Sequence, residues 1–162
     1  MFMIGIDINS VSTTAQYTPG TIGAVFDDGF YKVYKYVKYS DGTANLDLAA
    51  GDVVYYVDDT GYGTHTVTAD VSDATGQEIG AGVVVAAVTE DASYFWVQIK
   101  GAATVTEALG GSAGDGDPLT CVGASDKALT KAAEADSTGV YKPVVAFAVD
   151  ASAKEIICDF PY

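Results

Sequence analysis

The chain contains no arginine, one histidine, two cysteines and one tryptophan, and it has no long unbroken apolar run. A protein that grips phosphates needs a basic face, and arginine is the usual side chain for bidentate contacts. Here 22 Asp and Glu face eight Lys, for a formal charge of −14, so nucleic acid is not an expected partner and the acidic face is expected to lie in water. Cys121 and Cys158 allow one bridge at most, too few for a disulfide-framed scaffold, and each sits in an apolar strand-like run where a buried thiol is expected. No stretch reaches the about 18 apolar residues that span a membrane, so no membrane partner is expected. The segment Met1 to Asp7 has no basic residue and too short an apolar run for a signal peptide, which points to synthesis in the cytoplasm.

What the chain does have is strand material. Apolar residues make up 49% of its 162, enough for a packed core, with eleven tyrosines, many valines and threonines, and eighteen glycines for turns. Residues 1–20 lack a sustained period, although Ile4, Ile6 and Ile8 alternate with polar neighbours, and Pro19-Gly20 closes the segment as a turn. This reads as an extended N-terminal arm. Its compact apolar set Phe2, Met3, Ile4, Ile6 and Ile8 would be adhesive if exposed, so a sister subunit or a larger partner is expected to cover it. From residue 21 to 162 the signals are those of an all-β body. Gly23 to Phe26 is a short strand, Asp27-Asp28-Gly29 a turn, and Phe30 to Tyr39 a long strand in which Tyr31, Val33, Val37 and Tyr39 share one face. Lys35 interrupts that face, which suggests a bulge or an edge position.

Beyond Tyr39 the chain repeats an order of features. Gly51-Asp52 opens Val53 to Val57, and Gly116-Asp117 opens Pro118 to Val122. Val67-Thr68 and Leu129-Thr130 follow at equivalent places. The run Val83 to Val88 then matches Val144 to Val149, and Phe95 to Ile99 matches Ile156 to Phe160. The expectation is two related small β units, about 51–100 and 116–160, forming a β-barrel or β-sandwich. Their shared core should include Val85, Val88, Val97, Ile99, Val145, Phe147, Ile157 and Phe160. Ser125 to Asp136 is alanine-rich enough for a helix, but the repeat places a short strand near Leu129, and the strand is preferred.

No catalytic constellation emerges, and no enzyme, metal or cofactor is expected. His65 has no second histidine or nearby cysteine to share a metal, and its glycine-rich neighbourhood reads as a loop entering a strand. The glycine run Gly110 to Asp117 lacks the Gly-Lys-Ser/Thr ending of a phosphate loop. Asp58-Asp59 and Asp115 with Asp117 are candidate calcium ligands, but neither pair has the alternating ligands and closing Glu of a calcium loop. Tyr94 and Trp96 lie in an alternating strand, where packing is the default over a sugar platform.

The run Gly23 to Lys38, followed by Leu48-Ala49-Ala50-Gly51-Asp52-Val53-Val54, resembles a pattern in virion proteins of tailed bacteriophages, the capsid decoration or cement proteins. Gly82 to Ala86, Lys100 to Val105 and Gly116-Asp117-Pro118-Leu119 fit the same style, so the resemblance spans about residues 21 to 160. It implies a small β body clamped on the outer capsid surface, with the major capsid protein as partner and a homo-oligomer, favouring a trimer, as its state. The competing expectation is an adhesion or receptor-binding module of a phage fibre or spike.

Overall fold

The computed structural model describes residues 2–27, 29–58, 60–74, 79–121, 125–132 and 143–162. Asp28, Asp59, Val122 and the 133–136 end of the alanine-rich stretch lie outside the described residues. The molecule is all-β, as the composition implies. Its strands are β1 (Phe2–Ile4), β2 (Ile22–Asp27), β3 (Phe30–Tyr39), β4 (Val53–Tyr56), β5 (Thr66–Thr68), β6 (Gly80–Val84), β7 (Tyr94–Thr104), β8 (Pro118–Thr120), β9 (Thr130–Lys131), β10 (Ala146–Asp150) and β11 (Glu155–Asp159). Among the described residues one α-helical turn, Gly61–Thr64, joins β4 to β5.

All strands belong to one mixed sheet in the order β1-β2-β3-β5-β4-β6-β7-β11-β10-β8-β9, and β3 also pairs with β7. That extra pairing closes a ring of five strands, β3-β5-β4-β6-β7, so none of the five is left as an open edge. The eleven-residue β7 joins the halves. Its first part pairs with β3 and β6, and its last part, Lys100 to Thr104, pairs with β11 and starts the second half.

The two halves share a strand order: β5-β4-β6-β7 in the first and β9-β8-β10-β11 in the second. They also share a turn. Gly51 and Gly116 both take positive φ, +95° and +81°, where a side chain would be strained. In each, the following Asp N–H donates to the carbonyl three residues back, Asp52 to Ala49 and Asp117 to Gly114, both at 3.1 Å. Each Asp carbonyl then accepts from the hairpin strand, Val84 N–H at 2.8 Å and Ala148 N–H at 3.0 Å. Val84 therefore corresponds to Ala148, three residues beyond the Val145 that sequence matching selects. The cause is that β6 stops at Val84 and a long connection reaches β7, whereas β10 turns directly into β11. Only Val88 of the valine run beyond Val84 regains sheet contact, through a bridge to Leu48.

One continuous core runs through both halves, from Val37 and Tyr39 to Ile156, Cys158 and Phe160. Val88, Val97, Ile99, Val145 and Phe160 belong to it as expected. Cys121 and Cys158 are buried thiols, and burial pushes the Cys158 thiol up to about 12. Phe147 and Ile157 are not core residues: they are 45% and 50% exposed. The β10 residues that point inward are Ala146 and Ala148, opposite Cys158 and Ile156. Along β10 the small side chains face in and the large ones face out. Val85 is only partly buried, on a second cluster behind β3 and β7.

Lys35 is another correction. It is neither at an edge nor at the bulge, but lies between Ile22 of β2 and Val97 of β7 and is 1% exposed. Its ammonium donates to the Tyr56 hydroxyl at 2.7 Å and to the Pro161 carbonyl at 3.1 Å, and sits 5.4 Å from the centre of the Tyr56 ring. The register break falls nearby, between Val33 and Tyr34 in the pairing with β7.

Candidate interaction surface

The backbone of the N-terminal segment does not stand off the body. The β1 backbone pairs in parallel with β2, Phe2 opposite Ile22, Met3 opposite Gly23 and Ile4 opposite Ala24. Ile6 is buried with Tyr34, Tyr36 and Trp96, and Ile8 rests on the same cluster. Gly23 makes the slot: a methyl group there would meet Ile6 Cδ1 at 2.4 Å. The chain then crosses the outside of β3 and β7. Ser12 bridges Tyr94, the Gln16 N–H donates to the Tyr36 hydroxyl at 3.2 Å, and the Tyr17 ring lies 5.3 Å from Tyr36 and 5.4 Å from Trp96. This chain itself covers Ile6, with no need of a sister subunit. Ile6→Ala is expected to cost about 2–3 kcal/mol and to red-shift Trp96 emission, read by urea melts followed by fluorescence. An unchanged melt would mean that the segment is not part of the folded unit.

The residues considered for chemistry are dispersed. His65 Nδ1 is buried without a partner among the described residues, and burial first, then the Lys35 charge, lowers its pKa. No acid or nucleophile is positioned on it by a described hydrogen bond. Asp117 accepts from Gly114 N–H and pairs with Lys131 at 2.8 Å, and Asp115 accepts from Ala151 N–H, so both serve turns. Among the described residues no group of three or more His, Cys, Asp or Glu is placed to hold a metal. Among them, also, no helix is long and apolar enough to cross a membrane. Tyr94 and Trp96 do not form an open platform, because Trp96 is fully buried beneath Tyr17 and Tyr36.

The surface the sequence did not indicate is the outer face of the second half. Strand registers place Pro118 of β8 opposite Phe147 of β10, Phe147 opposite Ile157 of β11, and Ile157 opposite Ala102 of β7. Directly opposed residues of antiparallel strands share a face, so these four form one apolar row running across four strands. Phe147 and Ile157 are its half-exposed centre, and Val149 extends it along β10. On one side lies the exposed Glu155, opposite Thr104. On the other lies the ion pair of Asp159 with Lys100, whose ammonium is also 5.0 Å from the Tyr162 ring. A second exposed aromatic group occupies the β2–β3 turn, where the Phe26 and Tyr31 rings are 4.8 Å apart and Phe30 is 73% exposed. Alternation could have pointed to the row, since Ala146-Phe147-Ala148-Val149 alternates small with large. Which set faces inward depends on what fills the space below. No protein-family model, curated protein or solved structure matches this chain.

Proposed function

We propose that this protein is a structural component of a virus particle that binds the outer surface of the assembled capsid and stabilises the lattice of the major capsid protein. The observation that carries this reading is the exposed apolar row on a sheet face of a strongly acidic chain. A patch of this kind is comparable to the largest on an ordinary monomer, and such largest patches often serve binding. The row exposes roughly 300 Å², judged from typical side-chain areas, against about 800 Å² per partner in a stable one-to-one complex. Each copy therefore binds modestly, and a repeating lattice supplies the affinity through many sites. A protein that binds only the assembled lattice stabilises it by mass action, because disassembly destroys the sites. The likeness of residues 21 to 160 to phage decoration proteins supports the same reading.

Two measurements test it. Quantitative mass spectrometry of purified virions should find the chain at a copy number comparable to the major capsid protein; a few copies per particle would favour a fibre or spike component instead. The double variant Phe147→Thr with Ile157→Thr keeps strand-forming residues and puts no like charges opposite each other, so it should fold with a loss of about 1–2 kcal/mol. Its capsid occupancy should fall at least tenfold, and undiminished occupancy would remove the row from the attachment surface.

A further inference from the structure

We infer that His65 is an acid-sensitive latch on the strap that crosses Tyr36 and Trp96: its neutral ring seats residues 16–21 on the body, and its protonated ring lets them lift and uncover the aromatic cluster. The latch is built at Gly20, where the imidazole fills the place of the missing side chain. A methyl group there would meet His65 Nε2 at 2.3 Å. Gly20 takes φ +87° in a turn where the Thr21 N–H donates to the Thr18 carbonyl at 3.0 Å, and its own N–H donates to the Tyr36 carbonyl at 2.7 Å. The backbone of His65 is pinned as well. It takes φ +55°, its N–H donates to the Gly61 carbonyl, and its carbonyl accepts the Lys38 N–H at 3.0 Å. Nδ1 is buried with no partner among the described residues. In the neutral ring the proton can occupy Nε2, which leaves only a lone pair at Nδ1. The imidazolium makes Nδ1 a donor, and a buried donor without an acceptor bears its full desolvation cost.

The surrounding groups do not offset that cost. From β3 come Lys35, whose charge acts on the ring, and Lys38, whose N–H bonds its carbonyl. Tyr56 of β4, Tyr62 of the helical turn and Tyr17 of the strap are phenols, neutral in mild acid. Asp70, the nearest carboxylate along the chain, is engaged by Thr43, Ala44 and Ser72. Asp58 precedes the helical turn, and Asp59 lies outside the described residues. Burial first, and then the Lys35 charge, lower the imidazole from its ordinary value of 6.5. Above that value the ring is neutral whether the strap is seated or lifted, so the latch is closed. As pH falls through 6.5 towards the lowered value, only the lifted state takes up the proton, and seating weakens progressively. His65 is the sole histidine, and carboxylates ordinarily titrate at about 4, so this ring is the principal side chain that changes charge between about pH 7 and 5.

Hydrogen exchange of the full chain, corrected for intrinsic rates, tests the latch between about pH 7.5 and about pH 5. Protection of the Gln16 and Gly20 amides should fall about fivefold or more on acidification, and Trp96 emission should shift to the red. The Val84 and Phe160 amides, bonded within the body to Asp52 and Ile99, should keep their protection. The ring resonances of His65, unambiguous in a chain with one histidine, should titrate below 6.5. His65→Gln is uncharged at every pH and should hold the strap equally at both ends of the range. His65→Asn, which suits the left-handed backbone, serves the same purpose where the glutamine variant does not fold. A ring that titrates at 6.5 or above would overturn the latch, as would protonation that leaves Gln16 and Gly20 protected. An equal acid loss in the uncharged variants would also overturn it. So would loss of protection at Val84 and Phe160 in step with Gly20, because the whole body, and not the strap, would then be opening.

Discussion

Replacing Lys35 by methionine should abolish the rise in stability expected of the native protein as pH climbs from about 7 to 9. Burial pulls the Lys35 ammonium from its ordinary value of 10.5 down to about 8. Among the described residues no carboxylate lies at hydrogen-bonding distance from it: its partners are the Tyr56 hydroxyl, the Pro161 carbonyl and the faces of Tyr56 and Tyr62. Below pH 8 both folded and unfolded chains hold the proton, so the folded state carries the full cost of a desolvated charge. Between pH 8 and 10.5 the folded chain has released the proton and the unfolded chain has not, so stability rises with pH. The separation corresponds to about 3 kcal/mol. Other groups act in the opposite direction. The Cys158 thiol, held up to about 12 by burial, causes stability to fall as pH rises from 9. Burial also raises the hydroxyls of Tyr36, Tyr39, Tyr55 and Tyr56, which adds a steeper fall above about pH 10. The native protein should therefore be most stable at about pH 9. Methionine keeps the aliphatic stem and removes the charge, and such replacements of buried ions are often neutral or stabilising. Subtracting urea-melt stabilities of Lys35→Met from those of the native chain cancels the thiol and phenol contributions. The native-minus-variant difference should increase by about 2–3 kcal/mol between pH 7 and 10. A difference that stays constant across that range would show that Lys35 is solvated in the folded protein.

Lys35 also shows where sequence reasoning loses its grip. The alternation of Phe30 to Tyr39 locates the strand and its two faces, because the period of two is a local property of extended backbone. It cannot show that Lys35 would be enclosed, since enclosure depends on β2, β7, Tyr56 and the Pro161 carbonyl, which are remote in the chain. The same division applies to the N-terminal segment. The apolar alternation of Ile4, Ile6 and Ile8 is plain, but the slot for Ile6 is the missing side chain of Gly23, and only the fold brings the two together. The Gly51-Asp52 and Gly116-Asp117 turns were legible because a positive-φ glycine and a capping aspartate are local requirements. The hairpins after them were misaligned, because the length of the connection from β6 to β7, not the valine pattern, fixes where the strand ends. The docking row was missed for a related reason. Phe147 and Ile157 look like core residues by composition, and only the fold shows that Ala146, Ala148, Ile156 and Cys158 take the inward face instead.

The two turns supply a matched experiment, in which Asp52→Ala should cost about 3–4 kcal/mol while Asp117→Ala has a much smaller effect. The bonding is nearly the same at both sites. Asp52 Oδ2 accepts the Ala49 N–H at 2.9 Å and lies 3.1 Å from Lys127 Nζ; Asp117 Oδ2 accepts the Gly114 N–H at 2.7 Å and lies 2.8 Å from Lys131 Nζ. Their surroundings differ. The Asp52 side chain is 3% exposed and also accepts from the Thr106 hydroxyl, so it ties the turn to the segment after β7 and, through Lys127, to the loop before β9. Removing it takes the common acceptor from the Ala49 N–H, the Thr106 hydroxyl and the Lys127 ammonium; Lys127 keeps the Asp47 carbonyl, while the part-buried N–H and hydroxyl bear a desolvation cost. Asp117 and Lys131 are 24% and 42% exposed, so water takes over when either partner is removed, as is usual for surface pairs. The Lys131 ammonium, and then the Gly114 N–H, hold the Asp117 carboxyl below its ordinary range, so its contribution is present at neutral pH and is lost as pH falls through that lowered value. Thermal melts at pH 7 should place Asp52→Ala about 10 °C below the native protein, on the scale of a few degrees per kcal/mol for a chain of this length. Asp52→Asn, which keeps an acceptor oxygen but not the charge, should fall between. Equal losses at Asp52 and Asp117 would mean that the turn itself, and not burial of the carboxylate network, sets the cost.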